Sequence, residues 1–405
     1  MASGLKLLIS LKEINESHQA YSHAEIVKKP IYNLSNSRSD VLEINGDIRI
    51  HGKSSSIFIA SSSSDRGVHS WTLMPYARKG DLSAMQHVSK WNIKLQMPTK
   101  LPDCNRKFNI PAVLFSTGGF SGNPYHDFSD LLIPLYLTAR PFNETVLFLV
   151  TDKQYPWISK YKLILDKLSK HDIINIDKEN EVVCFARITF GLKAHKELGL
   201  NPSEFPYYSI KDFRQFLQST YSLDRKSIND CRSIISRPRM LIVSRKNTRV
   251  LKNEGEVANM AKSLGFDVLV EDISCNMSVV ARFVNSFDVM VGVHGAGLTN
   301  MVFLPENAVV IQIIPLGLES SAKRYYESPT KDMKLRYFGY KVSVNESSLV
   351  GKYQDDSEVY RDPGAVRKRG YLRFRSIYMD NQDLSIELGR FKDTLLKALH
   401  LVVQN

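Results

Sequence analysis

Two stretches of this 405-residue sequence put reactive side chains where a turn would expose them. In the first, His126 and Asp130 follow the glycine-rich loop Gly118-Gly119-Phe120-Ser121-Gly122, with Asn123 and Pro124 just ahead of them. Asparagine at an N-cap and proline at the first helical position make a strong helix start, so His126 and Asp130 fall one turn apart on one face. A carboxylate beside an imidazole raises its basicity and fixes its tautomer, which makes this pair the best acid–base constellation in the chain. Gly119 and Gly122 would let backbone approach a ligand beside it.

In the second stretch, the apolar run Val289-Met290-Val291 leads through Gly292 and Val293 to His294. The small-residue turn Gly295-Ala296-Gly297 follows, and then Leu298 to Leu304 with polar Thr299 and Asn300 inside it. That pattern reads as strand, tight turn and helix start, where bare amides and the positive end of a helix dipole suit a phosphate. His294 falls at the strand's C-terminal tip, where open α/β sheets place ligands. Arg245 and Arg249 follow the tip of another strand on the same edge and suit bidentate diphosphate binding. The ordinary readings are a surface His–Asp contact, a plain strand-to-helix turn and a solvated basic loop. A dinucleotide fold fits poorly: the fingerprint's third glycine is missing, and Ile311 to Ile314 run into Pro315 with no acidic residue closing that strand.

The surrounding pattern alternates strands and helices, as in parallel Rossmann-type sheets. A first α/β unit begins at Pro111 to Thr117, preceded by β-rich sequence from Val41. Strands are expected at 146–150, 173–176 and 182–185, with a helix from Trp157 to Leu168. A second set runs through a strand at 240–244, a helix at 254–264 and a strand at 266–270. It continues with a helix at 277–285 and strands at 289–293 and 309–314. The expected organisation is a stem or linker over 1–40, an N-terminal α/β domain over 41–235, a nucleotide-binding domain over 236–380 and a closing helix within 381–405. Aromatic residues between Asn201 and Tyr221 are expected to serve packing.

Composition sets outer bounds. Apolar content is 43% and charge content 24%, ordinary for a globular protein. The net charge of +12 favours acidic or phosphorylated partners, but it is spread along the chain with no nucleic-acid motif. The four cysteines (Cys104, Cys184, Cys231, Cys275) lack metal or thioredoxin spacing. No run reaches the roughly 20 apolar residues of a membrane span, and Leu5 to Leu11, interrupted by Lys6, makes a poor signal peptide. Sequons at Asn15, Asn33, Asn143, Asn276 and Asn345 exceed the roughly two to three that chance would give, and lean toward a secretory-pathway lumen.

Taken together, GGFSGNPYHDFSD at 118–130, IVSRKNTRVLKNEGEV at 242–257 and VGVHGAGLTNMVFLP at 291–305 resemble plant glycosyltransferase family 61. The resemblance runs from about residue 30 to about residue 400. It is strongest toward grass members that decorate xylan with arabinofuranose or xylose. It implies an α/β fold of GT-B type, two Rossmann-like domains facing a cleft, with the UDP-sugar on the C-terminal domain. It also implies inverting transfer to a xylan or other glycan acceptor, with no cofactor and no essential metal. Matching positions make Asp130 or His126 the base. Gly119, Gly122, Asn123, Glu254, Arg245 and Arg249 become substrate contacts, together with His294, Gly295, Ala296, Gly297, Leu298, Thr299 and Asn300. Transfer to a glycoprotein glycan, or a non-catalytic glycan-binding role in a xylan synthase complex, are the alternatives. Family members are normally type II Golgi proteins, which implies the Golgi lumen, although the anchor is not in this sequence. Many relatives carry cysteines where Tyr32 and Leu42 stand, so a stem disulfide is expected to be lost.

Overall fold

The computed structural model describes residues 31–61, 70–201, 203, 208–230, 237–273 and 276–404. Asn15, Cys231, Cys275, Phe205 and Tyr207 lie outside the described residues. The chain forms two compact units. One comprises the residues up to Phe120, Pro134–Tyr155 and Leu168–Ala194; the other comprises Ser121–Ile133, Pro156–Lys167 and everything from His195 onward. The single boundary expected near residue 235 is thus replaced by an interleaved division. Residues 195–230 join the second unit, and so does the segment that carries His126 and Asp130.

Among the described residues, the first unit is built on ten strands: β1 (Ile31–Asn33), β2 (Leu42–His51), β3 (Ser56–Ala60), β4 (Ser70–Leu73), β5 (Trp91–Gln96), β6 (Arg106–Phe108), β7 (Ala112–Ser116), β8 (Leu147–Thr151), β9 (Ile174–Asn175) and β10 (Val182–Phe190). They run β4-β5-β3-β2-β10-β7-β8-β9, with β1 on β2 and β6 on β10. The β10-β7-β8-β9 half is parallel, but β2 lies antiparallel to both β3 and β10. The sheet is therefore mixed, and only part of it matches the Rossmann-like expectation. Alternation in β2 turns Leu42, Ile44, Ile48 and Ile50 inward against Ile57, Trp91 and Phe190. Residues 31–40 are part of this unit: β1 pairs with β2, and the buried Ser39 hydroxyl donates to the Leu192 carbonyl at 2.7 Å. Tyr32 and Leu42 fall on these paired strands, with Tyr32 opposite Glu43 and Leu42 opposite Asn33. A disulfide that spacing had not revealed joins Cys104 to Cys184 across 80 residues.

Among the described residues, the second unit has five parallel strands, β11 (Arg239–Val243), β12 (Asp267–Glu271), β13 (Val289–Val293), β14 (Val309–Ile314) and β15 (Arg336–Lys341), in the order β12-β11-β13-β14-β15. Helices Glu254–Ser263 and Met277–Asn285 connect them, so this is the Rossmann-like sheet that alternation predicted. β13 and β14 are buried along their whole length, as a parallel sheet covered on both faces requires. The segment after His294 is a 3-10 helix, Ala296–Phe303, where the sequence pattern reads simply as a helix start. Its carbonyls are met from outside. Arg214, on helix Ile210–Tyr221, donates from Nε to the Val302 carbonyl at 3.2 Å and from its two terminal nitrogens to the Met333 and Leu304 carbonyls. Asn285 Nδ2 donates to the Phe303 carbonyl at 2.9 Å. The closing helix runs Leu388–Val403, and Phe391 packs edge-on against Tyr340 of β15. Among the described residues, no helix is long and apolar enough to cross a membrane.

Two stability outcomes follow. Replacing Cys104 and Cys184 by serine should lower the unfolding free energy by about 2–5 kcal/mol, seen as a lower denaturant midpoint. Arg214→Met strands three carbonyls and should cost at least about 3 kcal/mol. An unchanged midpoint in that variant would show that the arginine does not hold the 3-10 segment.

Candidate active site

At the end of β13 the chain turns sharply at Gly295 (φ +154°). A methyl group at this position would stand 2.5 Å from Arg245 Nη1 and 3.3 Å from Arg249 Nη1. The positive φ favours glycine, and two guanidinium groups pack directly on its backbone. Arg249 Nη1 donates to the His294 carbonyl at 2.8 Å, and Arg245 Nε donates to the Thr248 carbonyl at 2.9 Å. Arg249 itself has a left-handed backbone (φ +55°), which turns its side chain back across the strand tips. Its Nε is buried and has no hydrogen-bond partner among the described residues. Burial, and then the like charge of Arg245, hold Arg249 down to about 10. Two cations share a low-dielectric corner beside a helix start whose first amides have no partner within the helix. Such a corner favours an anion with several acceptor oxygens.

His294 is buried, and its Nδ1 meets a side-chain amide. Gln312 Nε2 donates to His294 Nδ1 at 2.6 Å, and the Tyr337 hydroxyl donates to Gln312 Oε1 at 2.7 Å. Burial, with Arg249 and then Arg245 beside it, pushes His294 down to about 3, so the ring is neutral at physiological pH. Tyr326, which the sequence reading did not single out, donates to the Gly295 carbonyl at 2.8 Å and meets the His294 ring edge-on at 5.4 Å. Leu298 and Thr299 are buried beneath the turn, and Asn300 Nδ2 donates back to the Gly297 carbonyl at 3.0 Å. Ala296 and Gly297 remain half-buried at its rim, and a side chain at Gly297 would press on Val243 at 3.0 Å. Glu254 opens its helix and accepts from the Ser244 hydroxyl at 3.2 Å.

The acid–base pair forms as the spacing predicted. Asn123 caps the helix by accepting from the Tyr125 amide at 3.0 Å, Pro124 takes the first position, and His126 Nδ1 lies 2.8 Å from Asp130 Oδ2. The helix widens to a π-turn over Asp127–Leu132, a distortion frequent at functional sites. The Asp130 side chain is wholly buried, whereas 19% of the His126 side chain is exposed. Asp127, not anticipated as a site residue, accepts from the Gly122 amide and from the Tyr161 hydroxyl, each at 2.8 Å, and burial raises its pKa. It thereby fixes the loop where Gly122 takes φ +95°. Gly119 has a packing reason: at φ +59°, a side chain there would lie 2.4 Å from the Tyr76 ring. A ligand is not needed to explain that glycine.

The two clusters are joined within the second unit. His126 packs edge-on against Tyr125 (5.3 Å), Tyr125 against Tyr326 (5.9 Å), and Tyr326 against His294. Buried Glu197 anchors this wall by accepting from the Tyr125 hydroxyl at 2.6 Å and the Ser129 hydroxyl at 2.9 Å. The sequence places Tyr125 and Tyr326 about 200 residues apart, so no local pattern could have linked them. Among the described residues, no three His, Cys, Asp or Glu side chains gather as a metal site.

A family model described as Glycosyltransferase 61 matches residues 125–311, which span both clusters. Alpha-1,3-arabinosyltransferase XAT2 of rice (Oryza sativa subsp. japonica) is 41% identical over 377 residues, covering 92% of this chain and 64% of that protein. Beta-1,2-xylosyltransferase XYXT1 of rice is 37% identical over 384 residues, covering 90% of this chain and 83% of that protein. Xylan glycosyltransferase MUCI21 of Arabidopsis thaliana is 36% identical, with 89% of this chain and 77% of that protein covered. With matches of this extent and a family model across both clusters, the chain belongs to glycosyltransferase family 61.

Proposed function

We propose that this protein is an inverting glycosyltransferase of GT-B type that moves a pentose, arabinofuranose or xylose, from a UDP-sugar to a xylan backbone. The observation that carries the reading is the continuous wall from His126–Asp130 through two tyrosines to His294 and the paired arginines. A donor diphosphate on Arg245, Arg249 and the Gly295–Asn300 turn has its leaving charge met by cations and amides. The acceptor hydroxyl loses its proton to a base as the anomeric carbon is attacked from the opposite face. Since Asp130 is enclosed and His126 reaches solvent, His126 takes that proton and Asp130 orients the ring and balances its charge. Similarity to arabinosyl- and xylosyltransferases supports a pentose donor. No cofactor or metal enters this scheme.

The Golgi lumen is the proposed site of action. The Cys104–Cys184 bridge suits an oxidising compartment. The sequon asparagines Asn33, Asn143, Asn276 and Asn345 are all exposed. Partners of the kind found in a xylan synthase complex fit the same setting.

The test is UDP release from UDP-arabinofuranose or UDP-xylose, with and without xylooligosaccharide. Acceptor-dependent release is expected from one donor. Asp130→Asn and His126→Ala should each lower it by about 10²–10⁴-fold while UDP still binds. UDP binding without acceptor-stimulated release would favour a glycoprotein acceptor or a non-catalytic glycan-binding role. Gly295→Ala, which drives a methyl group into Arg245, should weaken UDP binding by about tenfold or more. Unchanged UDP affinity in that variant would remove the arginines from the donor site.

A further inference from the structure

We propose that Gln312 and Tyr337 are positioning residues that hold His294 as the neutral Nε2–H tautomer, so that it acts as a hydrogen-bond donor to the bound diphosphate and never as an acid, base or cation. This rests on reading the Gly295 turn as a diphosphate site. The observation is one amide in an otherwise apolar strand: β14 reads VVIQII, and Gln312 is fully buried. Burying an amide is costly unless both its ends are bonded. Here both are, by Tyr337 from β15 and by the imidazole beyond β13. Parallel pairing sets Gln312 between Gly292 and Gly339, neighbours without side chains.

Polarity runs one way along this chain of bonds. Tyr337 donates to the amide oxygen, which leaves the amide nitrogen to donate, which makes His294 Nδ1 the acceptor. A neutral ring accepting at Nδ1 carries its proton on Nε2. The charged and titratable groups beside the ring agree. Arg249 and Arg245 on the loop after β11 disfavour imidazolium, and Tyr326 meets the ring only edge-on. Neither Gln312 nor the Tyr337 hydroxyl offers the ring a charge that would stabilise the cation. The opposite tautomer would point a lone pair at phosphate oxygens. The donor tautomer gives one more attractive contact that does not change with pH.

Nitrogen chemical shifts of histidine-labelled protein, with the His294 signal identified by its loss in His294→Gln, read the tautomer directly. An Nε2–H pattern that stays constant from pH 5 to pH 8 is expected; an Nδ1–H pattern, or a titrating signal, would overturn the proposal. Gln312→Glu supplies the functional readout. A carboxylate at that position would accept from Nδ1–H and make the ring titratable. The ratio of the variant's UDP dissociation constant to the wild type's should then rise by about tenfold between pH 5 and pH 8. Taking the ratio cancels the nucleotide's own protonation. A flat ratio in a folded variant would sink the idea. If Gln312→Glu does not fold, Tyr337→Phe removes only the hydroxyl that orients the amide and should let the second tautomer appear in the shifts. Persistence of a single tautomer there would take Tyr337 out of the scheme. Failure of the wild type to bind UDP would refute the diphosphate reading alone, since the shifts report on the ring without any ligand.

Discussion

Everything in the second unit's functional edge depends on two guanidinium groups being pressed together against one glycine. Arg245 and Arg249 are partly withdrawn from water, burial lowers the pKa of both, the charge of Arg245 lowers that of Arg249 further, and one buried donor of Arg249 is left unmet. A protein tolerates such a corner when an anion completes it. The surrounding residues serve that arrangement. The left-handed turn at Arg249 aims it, Tyr326 pins the Gly295 carbonyl, and Arg214 and Asn285 fasten the far end of the 3-10 segment.

The other half of the chemistry follows a different principle. Around His126 and Asp130 the structure meets each buried oxygen locally, with Asp127 taking the Gly122 amide and Glu197 taking two hydroxyls. Charge there is enclosed and hydrogen-bonded, while at the arginine corner it is left in excess. A site with an enclosed carboxylate at one end and unbalanced cations at the other is polarised along its length. A reaction that moves negative charge from an acceptor oxygen to a leaving diphosphate runs down that gradient.

Much of this was readable in the sequence where local rules govern. Apolar runs stopped by glycine, asparagine or proline gave Met277–Asn285, Val289–Val293 and Val309–Ile314 at their observed ends. Asn123-Pro124 gave the helix start, and the spacing gave the His126–Asp130 contact. What escaped depends on distant partners. Gly119 looked like a ligand contact because Tyr76, the ring it accommodates, is far away in sequence. Gln312 was visible as a lone amide in an apolar strand, but nothing local says that an imidazole and a phenol meet it. The mixed first sheet escaped because the alternation of β2 and the continuous apolar run of β7 each mark a strand without naming the strand it pairs with. The disulfide escaped because spacing alone does not pair cysteines 80 residues apart.

The interleaving of the chain carries a consequence for dissection. Ser121–Ile133 packs with the residues after His195, although more than sixty residues separate them in sequence. A C-terminal fragment that begins at any one point between 134 and 235 would keep the arginine corner and lose His126, Asp130 and the tyrosine that reaches Tyr326. The second unit is therefore not one contiguous stretch of the chain. Exchanging C-terminal halves between relatives would transplant the arginine corner onto another protein's His–Asp segment, and mix the two surfaces that meet at Tyr125 and Tyr326.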